Sequence, residues 1–419
     1  MSEQPFTISI SSEQLEDLKQ KLALTRFPDE LSDAGWAYGS PLADIKRLVA
    51  RWKDGYDWRT HEARLNAELP QFTRDIAVDG FGTLNVHYVH KRSAVEGAVP
   101  LLFVHGWPGN FIEVRKVAPL LAEVSPDHPS FHVVALSLPG YGFSEAPKKK
   151  GFQITQYAEV GNKLMLALGY NEYVTQGGDW GGVITRKIAT VYGGKHSKAW
   201  HTNFPIVQPP KLSLNPFRLL TAASMALALL WLSPAEAAAL ARARETQRTG
   251  LAYLRLQATK PQTLGYALAD SPAGLLAWIY EKLVAWTDGY AWDDDEVLTW
   301  ISVYWFSRAG PAASLRIYYE AAAAGDLVPS VHDAAPAIPM GVSYFPGELA
   351  GLPRNWVRRT GNVVFEAEHP MGGHFSAYET PALLVEDIRK MFRRGGPAYG
   401  VVRGCTGYSE TDNTVRAML

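Results

Sequence analysis

Gly177-Gly178-Asp179-Trp180-Gly181-Gly182 lies directly after the apolar run 173–176 and directly before the helical pattern 183–192. Strand, glycine-flanked residue, helix is the setting of a nucleophile elbow: a strained turn pushes one side chain out, and small neighbours let the backbone fold sharply. The residue at the centre is Asp179, where an esterase would have serine, and no Gly-x-Ser-x-Gly occurs anywhere in the chain. The nearest approach, Gly142-Phe143-Ser144-Glu145-Ala146, follows a Pro-Gly turn and lacks the closing glycine. A carboxylate in this position can attack a carbon that carries a strained or good leaving group and form an ester. Taken alone, the segment fits a Gly-rich turn with an aspartate helix cap equally well.

A second segment tilts the balance. His105-Gly106-Trp107-Pro108-Gly109 closes the apolar run 101–104, where an enzyme with such an elbow places the second backbone N–H of its oxyanion hole. The expected donors are the N–H groups of Trp107 and Trp180, and His105 is read as an orienting residue of the loop. A base and its orienting acid should follow the nucleophile in the order Asp, acid, His. Gly372-Gly373-His374-Phe375 comes just after the last apolar run and supplies His374 as base. Glu348, in Phe345-Pro346-Gly347-Glu348-Leu349 just past the run 340–344, is the acid that would fix the imidazole tautomer. His369, Asp333, Glu366 and Glu368 are rivals that fall inside or before a strand rather than at its C-terminal edge, so they rank lower.

Around these segments, apolar runs at 99–104, 133–136, 173–176, 199–203, 340–344 and 363–365 alternate with helical stretches, which argues a buried, mostly parallel sheet. An α/β-hydrolase fold is therefore expected, with core parts at 76–204 and 334–395. Residues 205–333 hold only helical patterns, among them 236–245 and 275–284, and read as a helical lid inserted between two strands. Residues 1–75 read as a helical N-terminal extension, opened by a capping box from Ser11 to Gln14 with Leu15, Leu18 and Leu22 at helical spacing. Residues 75–78 and 84–89 flank an Asp79-Gly80 turn and read as a β-hairpin, whose His87 and His90 face opposite sides and do not suggest a metal site. Residues 396–419 form a C-terminal tail, and no internal repeat is evident.

Composition narrows the function classes. With 41 basic and 42 acidic residues the net charge is −1, so no global field favours nucleic acid or an anionic membrane, and a small neutral ligand fits best. The single cysteine, Cys405, excludes disulfide frameworks and multi-thiolate metal sites within one chain and points to a reducing, cytoplasmic compartment. The first residues show neither a signal peptide nor an N-terminal anchor. The most hydrophobic run, 219–232, is shorter than the ~20 apolar residues a bilayer span needs and is read as a buried helix. Neither cofactor nor metal is expected, and the oligomeric state stays open, a homo-oligomer included.

With these motifs in place, the sequence resembles the microsomal-type epoxide hydrolases and their soluble microbial relatives over nearly its whole length. The resemblance rests on Arg26-Phe27-Pro28-Asp29 with Trp36-Ala37-Tyr38-Gly39, on the segments at 105–109 and 177–182, and on three lid features. Those are Gln257-Ala258-Thr259-Lys260-Pro261, Asp270-Ser271-Pro272, and Trp278 with Glu281-Lys282. It implies hydrolysis of an epoxide to a vicinal diol, with Asp179 as nucleophile and Glu348 and His374 as the water-activating pair. It also implies two lid tyrosines that polarise the epoxide oxygen: Tyr253, and Tyr318 with Tyr319 as a competitor one residue on. No N-terminal anchor like that of the membrane-bound members is expected from the first residues. A haloalkane dehalogenase and a catalytically silent binding protein of the same fold are the alternative readings of these residues.

Overall fold

Six of the apolar runs become parallel strands that sit side by side at the centre of the molecule. The computed structural model describes residues 3–208, 215–330 and 332–409. Its strands are β1 (Gln4–Pro5), β2 (Gln71–Val78), β3 (Gly82–Lys91), β4 (Val99–Val104), β5 (Phe131–Leu136), β6 (Tyr173–Gly177), β7 (Ser197–Thr202), β8 (Pro339–Tyr344) and β9 (Asn362–Glu368). They form one sheet in the order β1-β2-β3-β5-β4-β6-β7-β8-β9. From β5 to β9 all pairings are parallel, while β1, β2 and β3 join antiparallel at the other edge. Every residue of β4 and β6 is buried, as continuous apolar strands covered on both faces should be.

The order also fixes where chemistry can occur. The chain passes from β4 to β5 on one side and then crosses to β6 on the other, so the loops after β4 and β6 diverge and open a crevice at the carboxyl ends of the strands. Val104 pairs with Gly177, the last residues of their strands. Two motifs separated by about 70 residues thereby leave the sheet side by side.

Between β7 and β8 the described residues contain no strand. They form the helices Pro216–Ala228, Pro234–Glu245, Ala252–Thr259, Pro261–Asp270, Pro272–Ala285, Asp294–Trp305 and Arg316–Ala324. The N-terminal segment contributes three helices, Ser12–Ala23, Leu42–Asp54 and Trp58–Glu68, and the Ser11 capping box is present with both bonds at 3.1 Å. This segment holds the helix Asp294–Trp305: the Arg51 guanidinium makes two 2.9 Å bonds to Asp295, and Tyr56, in the turn between the second and third helices, bonds Thr299.

Two expectations need correction. The strand β2 begins at Gln71, inside the segment assigned to the helical extension, because Gln71 to Arg74 lack apolar alternation and become a strand only by pairing with β3 and β1. The run 219–232 is not a buried helix. It forms the helix Pro216–Ala228 and the turn Leu229–Trp231 with Leu220 70% and Trp231 82% exposed, and only Met225 packs fully, against Val207 and Trp356. The helix is largely apolar, but Phe217, Leu219, Leu220 and Leu227 remain exposed, because among the described residues only the face around Met225 is covered. No single helix among the described residues is long and apolar enough to cross a membrane. Of the C-terminal tail, residues 410–419 lie outside the described residues.

Candidate active site

Asp179 stands at the junction of β6 and the helix Trp180–Tyr192 with φ 49° and ψ −129°, a conformation that a side-chain-bearing residue adopts only under constraint. The constraint comes from the flanking glycines. A Cβ on Gly177 would lie 2.3 Å from the Gly181 carbonyl oxygen, and one on Gly181 would lie 1.8 Å from that of Val104. Only with no side chain at either position can the helix start this close to the sheet.

The loop after β4 meets this turn. The Trp107 N–H donates to Asp179 Oδ1 at 2.7 Å, while no hydrogen bond links the Trp180 N–H to that carboxylate. Burial pushes His105 down to about 4, so its neutral ring donates from Nδ1 to the Gly106 carbonyl (2.9 Å) and accepts the Leu138 N–H at Nε2 (3.3 Å). His105 thus shapes the loop. Two lid side chains that local sequence reading does not single out pin the same loop from above: Trp300 Nε1 donates to the Pro108 carbonyl (2.7 Å) and Tyr304 to that of Gly109 (2.5 Å). Their spacing of four places both on one helical face, which the sequence does show, but not which loop that face meets.

On the other side, His374 Nε2 lies 3.4 Å from Asp179 Oδ2 and Nδ1 lies 2.8 Å from Glu348 Oε1. Burial opposes the imidazolium here, but the carboxylates of Glu348 and Asp179 outweigh it, so His374 sits well above the ordinary histidine value. Glu348 also accepts the Leu349 N–H. The rival His369 is engaged elsewhere, bonded to Asp387 at 2.5 Å. Glu366 accepts from Tyr344 and Arg358, and Asp333 from the Ser330 N–H. The histidine loop is clamped by the lid: the His374 N–H donates to the Trp286 carbonyl, and the Trp286 ring stands edge-on to the imidazole at 5.1 Å.

Two tyrosines reach the site from the lid. Tyr253 stacks on Trp107 with ring centroids 5.2 Å apart, and Tyr318 meets Trp180 edge-on at 4.8 Å. Both are buried, and burial raises both phenols far above their ordinary value, so they remain O–H donors. The Tyr318 hydroxyl is buried without a partner in hydrogen-bonding geometry. Its neighbour Tyr319 is 44% exposed and points away from the pocket. Lys282, from the Glu281-Lys282 pair, is buried with its ammonium 4.7 Å from the Tyr253 ring centroid. Asp179, Tyr253 and Tyr318 line one cavity of about 200 Å³ whose remaining walls are mainly apolar, among them Phe204, Leu254, Trp286 and Leu327. Among the described residues no group of three His, Cys, Asp or Glu side chains is arranged to hold a metal ion.

A mostly parallel sheet, a glycine-flanked Asp179 in the turn from β6 into its helix, and the pair Glu348 and His374 beyond the ends of β8 and β9 are the features of an α/β-hydrolase fold whose elbow carries a carboxylate. Residues 99–247 match the family model described as alpha/beta hydrolase fold, and residues 3–114 match that described as epoxide hydrolase N terminus. Epoxide hydrolase 1 of Sus scrofa is 35% identical over 414 residues, covering 92% of this chain and 87% of the relative. The solved structure of Aspergillus niger epoxide hydrolase is 35% identical with a TM-score of 0.78, over 93% of this chain and 95% of that one. The crystal structure of juvenile hormone epoxide hydrolase from the silkworm Bombyx mori is 31% identical with a TM-score of 0.81, over 92% and 93%. The chain belongs to the epoxide hydrolase family.

Proposed function

We propose that this chain converts an epoxide and water into a vicinal diol in two steps, through an ester on Asp179. In the first, an Asp179 carboxylate oxygen attacks an epoxide carbon and the carbon–oxygen bond of the ring breaks. The oxygen that is freed takes up negative charge, and Tyr253 and Tyr318 donate hydrogen bonds to it and then a proton. In the second, His374 takes a proton from water as the water oxygen bonds to the ester carbon of Asp179. The Trp107 N–H, joined by that of Trp180, holds the resulting oxyanion. The bond between that carbon and the alkyl oxygen then breaks, the diol leaves with the proton His374 returns, and the remaining proton of the water passes from the Asp179 carboxyl to the tyrosinate, which restores both groups. Glu348 keeps Nδ1–H of His374 directed and supports the imidazolium.

One observation carries this reading: two buried phenols, one with an unpartnered hydroxyl, line the same cavity as Asp179. A leaving halide would need hydrogen-bond donors but no proton, whereas an opening epoxide needs both, and a phenol supplies both. The mainly apolar walls favour epoxides with apolar substituents small enough for a cavity of about 200 Å³.

The test is the origin of the diol's new oxygen. With enzyme in excess in heavy-oxygen water, one turnover should give mostly unlabelled diol and a labelled Asp179 peptide, and repeated turnovers should give labelled diol. Full label in the diol on the first turnover would show direct attack by water. The tyrosines make a separate prediction. Tyr253→Phe or Tyr318→Phe should each slow ring opening about 10- to 100-fold, and the double change by 10³-fold or more on the order of magnitude set by oxyanion donors, since one phenol partly replaces the other. Stopped-flow measurement of ester formation checks this; an equal effect from Tyr319→Phe would displace Tyr318.

A further inference from the structure

Glu113 has no part in the cycle above, yet it borders it. It lies in the short turn Phe111–Arg115 that follows the Trp107 loop, and Asn110 caps that turn by accepting the Ile112 N–H at 2.9 Å. The Glu113 side chain folds back under the loop: a Cβ on Gly109 would fall 1.6 Å from Glu113 Oε1, so glycine at 109 leaves the carboxyl its place. The Gly109 carbonyl is in turn held by Tyr304. Residue 113 is only partly buried as a whole, but its carboxyl is deep enough for burial to push it up to about 8, with Asp179 adding to the rise and His374 opposing it.

The carboxyl faces a second cavity, of about 10 Å³, bordered also by Gly106, Asp179, Asn203 and His374. That is room for about one water molecule. Of the residues that line it, only Asp179 also lines the large apolar cavity. The carboxylate of Asp179 is thus the partition between a space that fits an apolar substrate and a small polar space beside the base. An ester formed from the large cavity is reachable from the small one.

On the reading that Asp179 forms an ester, we infer that Glu113 is a positioning residue for its hydrolysis, holding the attacking water in the small cavity between His374 and the ester carbon. The water gives one hydrogen bond to the Glu113 carboxyl and its other proton to His374 Nε2, leaving an oxygen lone pair directed at the ester carbon. The water oxygen bonds to that carbon, the diol departs as its bond to the carbon breaks, and the proton on His374 passes to the departing oxygen. Glu113 neither gains nor loses a proton overall. A carboxyl that stays largely protonated near neutral pH suits this task, because it orients water without competing with His374 for the proton.

The experiment reads the two steps separately in single turnovers of the full chain, with ester formation followed by intact mass and its decay by diol release. Glu113→Ala should leave ester formation within about threefold and slow ester hydrolysis roughly 10- to 100-fold, the range a misplaced reactant produces. Glu113→Gln, which keeps a hydrogen-bonding group of the same shape, should recover most of that loss, an outcome that a purely structural role would not produce. Unchanged hydrolysis in Glu113→Ala, equal slowing of both steps, or Glu113→Gln no better than Ala overturns the inference. Should Glu113→Ala not fold, Glu113→Leu, which keeps the volume, takes its place with the same outcomes. Absence of any ester in the parent enzyme sinks the two-step reading instead, so the two failures are told apart.

Discussion

Replacing His374 by Gln is expected to give an enzyme that opens the ring once and then stops. The free enzyme holds His374 between two carboxylates, at 2.8 Å from Glu348 and 3.4 Å from Asp179, and both raise its proton affinity against the cost of burial. Ester formation turns Asp179 into a neutral group. One of the two supports is then gone, the proton affinity of His374 falls, and the imidazole becomes available as a base at the step that needs one. In the proposed cycle, the reaction of Asp179 thereby prepares His374 to act as the base. Glutamine cannot take a proton from water, so turnover should fall by about 10²- to 10⁴-fold, the usual contribution of a general base. Intact mass should show the protein heavier by one substrate, with the added mass on the peptide that contains Asp179. In the parent enzyme, ester hydrolysis should slow as pH falls and the imidazole becomes protonated, and this acid limb should be missing from the variant. A variant with normal turnover, or slow turnover with no adduct, would remove His374 from the hydrolytic step.

Asp179→Ala is expected to lose at least about 10⁴-fold in turnover, as other enzymes do when their covalent nucleophile is removed. Its melting temperature should stay within a few degrees of the parent's. The Asp179 carboxylate accepts one backbone hydrogen bond, from Trp107, and faces cavities on both sides, so its removal deprives the apolar core of no contact. The backbone at 179 is held left-handed by the packing of its glycine neighbours, and alanine meets the same constraint that aspartate already tolerates. No ester should form at any time. Diol production near the parent rate by a folded Asp179→Ala protein would show that the carboxylate is not the nucleophile, whatever the fold.

Much of this architecture was legible in the sequence because it is local. Continuous apolar runs specify strands buried on both faces, and the residues of β4 and β6 are buried throughout. Glycines at 177 and 181 announce a backbone that approaches another at distances no side chain permits, and the observed clash distances give the reason. The order Asp179, Glu348, His374 follows from which strand each residue ends, since strands of one parallel sheet present their carboxyl ends along one edge. The small two-residue strand β1 was not legible, because it exists only through its pairing with β2.

What tertiary structure alone decided are facts about which segment lies across from which. Tyr318 and Tyr319 are alike to a helical pattern, and only the position of their helix over the sheet buries the first at 1% exposure and leaves the second at 44%. The run 219–232 is apolar enough for a core, yet among the described residues only Met225 finds a buried partner surface, and the rest stays largely uncovered. Trp300 and Tyr304 reach the carbonyls of Pro108 and Gly109 across almost 200 residues of chain. Glu113 reads as an ordinary charged residue in a turn until the space left by Gly109 brings its carboxyl to the cavity beside His374. Sequence periodicity records which face of an element is apolar. It does not record the partner that face will meet, because that depends on the packing of every other element around the sheet.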